Sequence, residues 1–202
     1  GLTGELNQLG EVLMAVTALI FRGLAFGFAF RTGIINIGAE GQFIAGRFAG
    51  FIVAFLLAPT GMPPFLLITF AILASIIAGG LWGAVPGYLK AKWGVHEVIV
   101  TIMMNWIALL LSRTAVNIHL REAGGQPKTE LIPDTARLNN EWLSELFGTD
   151  IHVGIFIALV TTVIIFILLF KTTTGFELRA VGFSQKAAEY AGMNVKKNIV
   201  LS

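Results

Sequence analysis

The chain has 202 residues, 55% of them hydrophobic and 13% charged, with a net charge of +2. Soluble domains average about 45–50% apolar and about 25% charged residues, so this composition, with a mean hydropathy of +0.79, is that of a membrane protein. The small charge argues against a nucleic-acid partner, and the absence of Cys excludes a disulfide scaffold or a thiolate metal site. Three His (His96, His119 and His152) without ligand-like spacing offer no zinc site, and no cofactor is expected.

Spanning a hydrocarbon core about 30 Å thick takes about 20 mainly apolar residues in a helix. Five segments fit: 12–30, 43–58, 65–89, 98–116 and 153–170. Helices are expected because lipid offers backbone polar groups no other partner, and the alternation of a barrel strand is absent. The fold class predicted is therefore all-α, a polytopic transmembrane bundle. The first residue is not Met and an apolar run opens at "NIVLS", so a piece of a longer membrane protein is expected.

Between the first and second segments lies "RTGIINIGAEGQ", too polar and too rich in Gly for a plain lipid-facing helix. Irregular backbone at membrane depth is tolerated only where it is buried in protein or lines a watery cavity. A break or re-entrant turn is expected here, with Asn36, Glu40 and Gln42 as candidate path residues; the plainer reading is a cytoplasmic turn. Arg22, near the middle of the first helix, is costly in lipid and could pair with Glu40. Arg47 and Arg113 read as closer to helix ends, where they can snorkel.

The fourth segment opens with His96 and Glu97 and carries Thr101 and Asn105, four apart and on one face. These two either bond a neighbouring helix or face the transport path. Loop 117–150 holds three basic and six acidic residues, a balance of −3, whereas 171–202 holds five basic and two acidic, a balance of +3. Basic residues concentrate in short cytoplasmic loops, so 117–150 is expected outside and 171–194 inside. The outer loop contains "NNEWLSELFG", which predicts a short amphipathic helix with Trp142 on its apolar side. The inner one contains "SQKAAEYAG", a short helix with Ser184 as N-cap and Gly192 at its stop. Its small face (Ala187, Ala188, Ala191) and Tyr190 suit insertion into a groove on a partner; the plainer reading is an interfacial turn.

Three stretches together resemble one family. "INIGAEGQ" (35–42), "GVHEVIVTIMMNWIA" (94–108) and "TTTGFELRAVGFSQKAAEYAGM" (172–193) are similar, in this order, to segments of ABC importer permeases of the branched-chain amino acid and simple-sugar type, especially the nucleoside subgroup. His96 departs from the Asn usual there. The resemblance implies a single transmembrane permease domain over 1–202, forming a path for a small polar solute such as a nucleoside or simple sugar. It implies that 172–193, with Gly175, Ala187, Ala188, Tyr190, Ala191 and Gly192, docks onto an ATPase subunit. A second permease subunit, an extracytoplasmic solute-binding protein and the plasma membrane complete the expected surroundings. No G-x-x-x-x-G-K-[ST] loop and no nucleophile–base set occurs, so ATP hydrolysis is expected on another chain. The competing readings are an ion-coupled transporter using Glu40, an intramembrane enzyme and a non-transporting scaffold.

Overall fold

The computed structural model describes residues 2–119 and 153–202. In chain order these form α1 (Leu2–Arg31), α2 (Ala39–Leu57), a 3-10 turn (Ala58–Thr60), α3 (Pro64–Trp93), α4 (Glu97–His119), α5 (Gly154–Lys171), α6 (Thr173–Phe183), α7 (Gln185–Tyr190) and α8 (Val195–Leu201). All regular elements among the described residues are helical, and α1 to α5 are long and apolar enough to cross a membrane. The expected amphipathic helix around Trp142, with nearly all of the outer loop, lies outside the described residues. The first residues of that loop continue α4.

The chain divides into two compact units. The first holds α1, α5, α6, α7 and the opening turn of α8. Its α1 ends on a left-handed Gly33 (φ 77°), with Gly33 N–H bonded to the Phe30 carbonyl and Ile34 N–H to the Ala29 carbonyl. This paired closure satisfies carbonyls the helix would otherwise leave open. At the end of α5 the chain re-forms a helix at once, because the Thr172 hydroxyl oxygen accepts from Gly175 N–H at 3.1 Å and caps α6. Leu178 and Val181 of α6 are fully buried. Gly182 packs its α-carbon against the Arg31 carbonyl, a contact so close that a β-carbon would clash with backbone. The Arg31 and Arg179 guanidiniums lie 5.5 and 5.1 Å from the Phe170 ring centre. Asn198, also buried, donates to Glu177 Oε2 (3.2 Å) and ties α8 to α6.

The second unit holds α2, α3, α4 and Ile199–Leu201. α2 and α3 are antiparallel, with Gly50 against Ala71 and Ser75, Gly46 against Ser75, and Gln42 against Gly79. Small residues at such crossings let helix backbones approach closely without a hydrophobic driving force from lipid. α4 runs beside α2 in the same direction, with Thr101 at Gly38 and Asn105 at Gly41. The α3–α4 junction turns on left-handed Gly94 and is closed by an ion pair, Lys90 Nζ to Glu97 Oε2 at 2.7 Å. Most large side chains along α3, α4 and α5, such as Phe65, Leu81, Trp106 and Phe166, are exposed, as suits lipid or neighbouring protein.

Candidate functional site

The polar stretch ahead of α2 is irregular backbone from Ile34 to Ile37, not helix. Its carbonyls and the first N–H groups of α2 have no helical partner, so each needs one from elsewhere. Asn36 supplies the first: its Oδ1 accepts from Gly38 N–H at 2.8 Å, and the side chain is 8% exposed. Asn105 supplies two more. Its Oδ1 accepts from Gly41 N–H (2.8 Å), and its Nδ2 donates to the Ile37 carbonyl (3.0 Å). One amide on α4 thus clamps both sides of the break. Thr101, one turn earlier and buried, donates its hydroxyl to the Val98 carbonyl and packs its methyl-bearing side against Gly38.

Gly41 has to be Gly for this to work. A β-carbon there would lie 2.8 Å from Asn105 Oδ1 and 3.1 Å from the Trp82 indole nitrogen. Gln42 reaches the other way and lies over Gly83 of α3. Glu40, exposed, stands in the first turn of α2, where the helix dipole favours an acid. Four of the five candidate path residues, Asn36, Gln42, Thr101 and Asn105, gather around the start of α2, and Glu40 adjoins them. Arg22 lies in the first unit and Glu40 in the second.

Sequence reading missed Trp82. Its indole N–H is buried beside Gly41 and Asn105 with no hydrogen-bond acceptor. Pro86, four residues on, has no N–H for the Trp82 carbonyl, so this residue carries both a spare donor and a spare acceptor. The one sequence signal was Pro86 inside an otherwise continuous apolar helix. Arg47 also differs from expectation: α2 begins at Ala39, which puts Arg47 mid-helix and not near an end.

In the first unit, Ser184 caps α7 as expected, its Oγ accepting from Ala187 N–H at 3.3 Å, and Gly192 is left-handed (φ 81°). Ala187, Tyr190 and Ala191 are exposed, but Ala188 is 3% exposed and belongs to the packed side of the turn. Gly175 is buried at the start of α6. The most exposed large side chains here are Phe183 and Tyr190, at 90% and 94%.

Residues 8–202 match the family described as branched-chain amino acid transport system / permease component. The chain belongs to this family. The permease is 45% identical to the guanosine ABC transporter permease protein NupP of Bacillus subtilis (strain 168), a match that takes in 100% of this chain and 57% of that protein. It is 35% identical to the nucleoside ABC transporter permease protein NupB of Lactococcus lactis subsp. cremoris (strain MG1363), over 98% of this chain and 56% of that one. The glucose ABC transporter permease protein TsgB13 of Haloferax volcanii follows at 33%, over 92% and 50%. The chain therefore spans about half the length of these relatives. No solved structure matches it. The family expected from the three motifs is the family found, and the permease is a multi-pass protein of the plasma membrane.

Proposed function

We propose that this permease forms the membrane path of an ATP-binding cassette importer for nucleosides, with simple sugars as the second solute class. The names of the 45% and 35% identical relatives support the first class, and that of the 33% identical relative supports the second. The observation that carries the mechanism is the broken helix clamped by Asn105. Asn105 is eight residues, about 12 Å, beyond the start of α4. With a hydrocarbon core about 30 Å thick, that distance supports a free end of α2 within the membrane, where transporters build solute sites from interrupted helices.

In this reading Asn36, Thr101 and Asn105 hold the break in shape. Glu40 and Gln42, at the opening of α2, meet the solute, and the spare Trp82 indole N–H donates to a solute carbonyl or hydroxyl. Loop 117–150 is extracytoplasmic and receives a solute-binding protein. Segment 171–194 is cytoplasmic. Phe183, Ala187, Tyr190 and Ala191 dock into an ATPase subunit, while Gly175, Ala188 and Gly192 give the docking turn its shape. A second permease subunit completes the path. Movement imposed on α6 reaches α1 through the Gly182–Arg31 contact, immediately ahead of the break. Affinity purification of the full-length protein tests the assembly. Recovery of an ATPase subunit, lost with Tyr190→Asp, supports the proposal, and a permease purified reproducibly without one opposes it.

A further inference from the structure

Farther along the α2–α4 seam, away from the break, lies a cavity of about 600 Å³. Arg47, Phe48 and Phe51 of α2 line it on one side, and Ser112, Arg113 and Asn117 of α4 on the other. Small-molecule sites commonly enclose about 300–1,000 Å³, so the size suits a ligand of some twenty heavy atoms. The cavity lies beyond the amide clamp in the direction of the outer turn: Arg47 is six residues, about 9 Å, past Gly41, and Arg113 is eight residues, about 12 Å, past Asn105.

Two guanidiniums in membrane helices need a reason. Arg47, mid-helix, is where a charge pairs, lines water or marks a solute pathway, while Arg113, nearer the end of α4, can reach either the cavity or the outer surface. Among the described residues, those lining the cavity include no carboxylate, and Arg47 has the Phe43 ring 5.7 Å away. The ligand that fits must bring oxygen or nitrogen acceptors for two planar forks of donors, and an apolar ring for the two Phe. A guanidinium meets the O6 and N7 acceptors of a guanine-type purine with two parallel hydrogen bonds, and a Phe ring stacks on its face. The Ser112 hydroxyl donates to the Leu109 carbonyl at 3.0 Å and keeps lone pairs for a ribose hydroxyl; the Asn117 amide can serve the same sugar.

We propose that this cavity is a solute station on the outer side of the break, and that Arg47 and Arg113 select purines bearing a 6-carbonyl. The inference rests on the reading of the protein as a nucleoside importer and adds the residues that distinguish one base from another. Adenosine presents an amino donor where guanosine and inosine present the carbonyl acceptor, so guanidinium donors that bond the carbonyl meet the amino group donor to donor.

The test uses the full-length transporter, with its ATPase and binding protein, in vesicles at saturating binding protein. Arg47→Gln and Arg113→Gln each lower guanosine and inosine uptake about tenfold relative to adenosine, and Arg113→Lys does not restore the ratio because it lacks the fork. A second measurement does not depend on transport. This chain has no Cys, so Ser112→Cys places one probe in the cavity. Guanosine at millimolar concentration slows its alkylation, and adenosine slows it far less. An unchanged guanosine-to-adenosine ratio, equal protection by both, or protection that follows anionic lipid content and not nucleoside overturns the proposal. Wild-type vesicles that carry no nucleoside at all would overturn the importer reading itself, a separate result.

Discussion

Asn105 is the residue on which the break depends, and Asn105→Leu is the cleanest perturbation because it keeps the branched shape and heavy-atom count and removes both hydrogen bonds. Gly41 N–H then loses its acceptor at the start of α2, and the Ile37 carbonyl loses its donor. Interhelical hydrogen bonds in membranes average about 0.6 kcal/mol and reach about 1.7, while the loss of a helix cap costs about 0.5–2. Two bonds together give about 1–3 kcal/mol, which shifts the population of the formed break by about five- to 150-fold. The expected outcome is a lowered unfolding temperature in detergent and a larger fractional loss of uptake, since only the formed break presents α2 to the solute. Asn105→Asp, which keeps an acceptor for Gly41 N–H, falls between wild type and Asn105→Leu. Equal melting temperature and equal uptake for wild type and Asn105→Leu would refute the clamp.

Gly182→Ala forces a β-carbon into the Arg31 carbonyl, and overpacking of this kind costs about 1–3 kcal/mol; ATPase activity stimulated by loaded binding protein should become uncoupled from uptake, and tight coupling in the variant would remove α6 from the relay. Trp82→Phe keeps an aromatic ring but deletes the unpartnered N–H, so solute uptake should fall by more than the lost packing lowers thermal stability; uptake that falls only in step with stability would make Trp82 a packing residue only. Tyr190→Cys should be labelled by a membrane-impermeant maleimide only in inside-out vesicles, and labelling in intact cells would reverse the topology.

Much of this architecture is legible in residue order. Five long apolar runs specify helices because lipid allows little else, and "INIGAEGQ" announces a break because Gly and amides interrupt an apolar stretch. The partners of the break were not legible. Asn105 meets Gly41 and Ile37 across 64 and 68 residues, a pairing that no local period encodes. Trp82 reads as one more apolar ring until its indole nitrogen is found without an acceptor. Arg47 reads as lying near a helix end because the polar residues Glu40 and Gln42 hide the first turn of α2. Ala187, Ala188 and Ala191 form one small-residue pattern, yet Ala188 is covered; composition does not say which side of a six-residue helix packs inward.

The central claim is that this chain conducts a nucleoside under the control of ATP hydrolysed elsewhere. Uptake of radiolabelled guanosine into vesicles holding the full-length permease, its ATPase and its binding protein tests it most directly, with ion gradients collapsed by ionophores. The account predicts accumulation that requires ATP and the binding protein and that persists without any gradient. Accumulation that follows a proton or sodium gradient in the absence of ATP would contradict it.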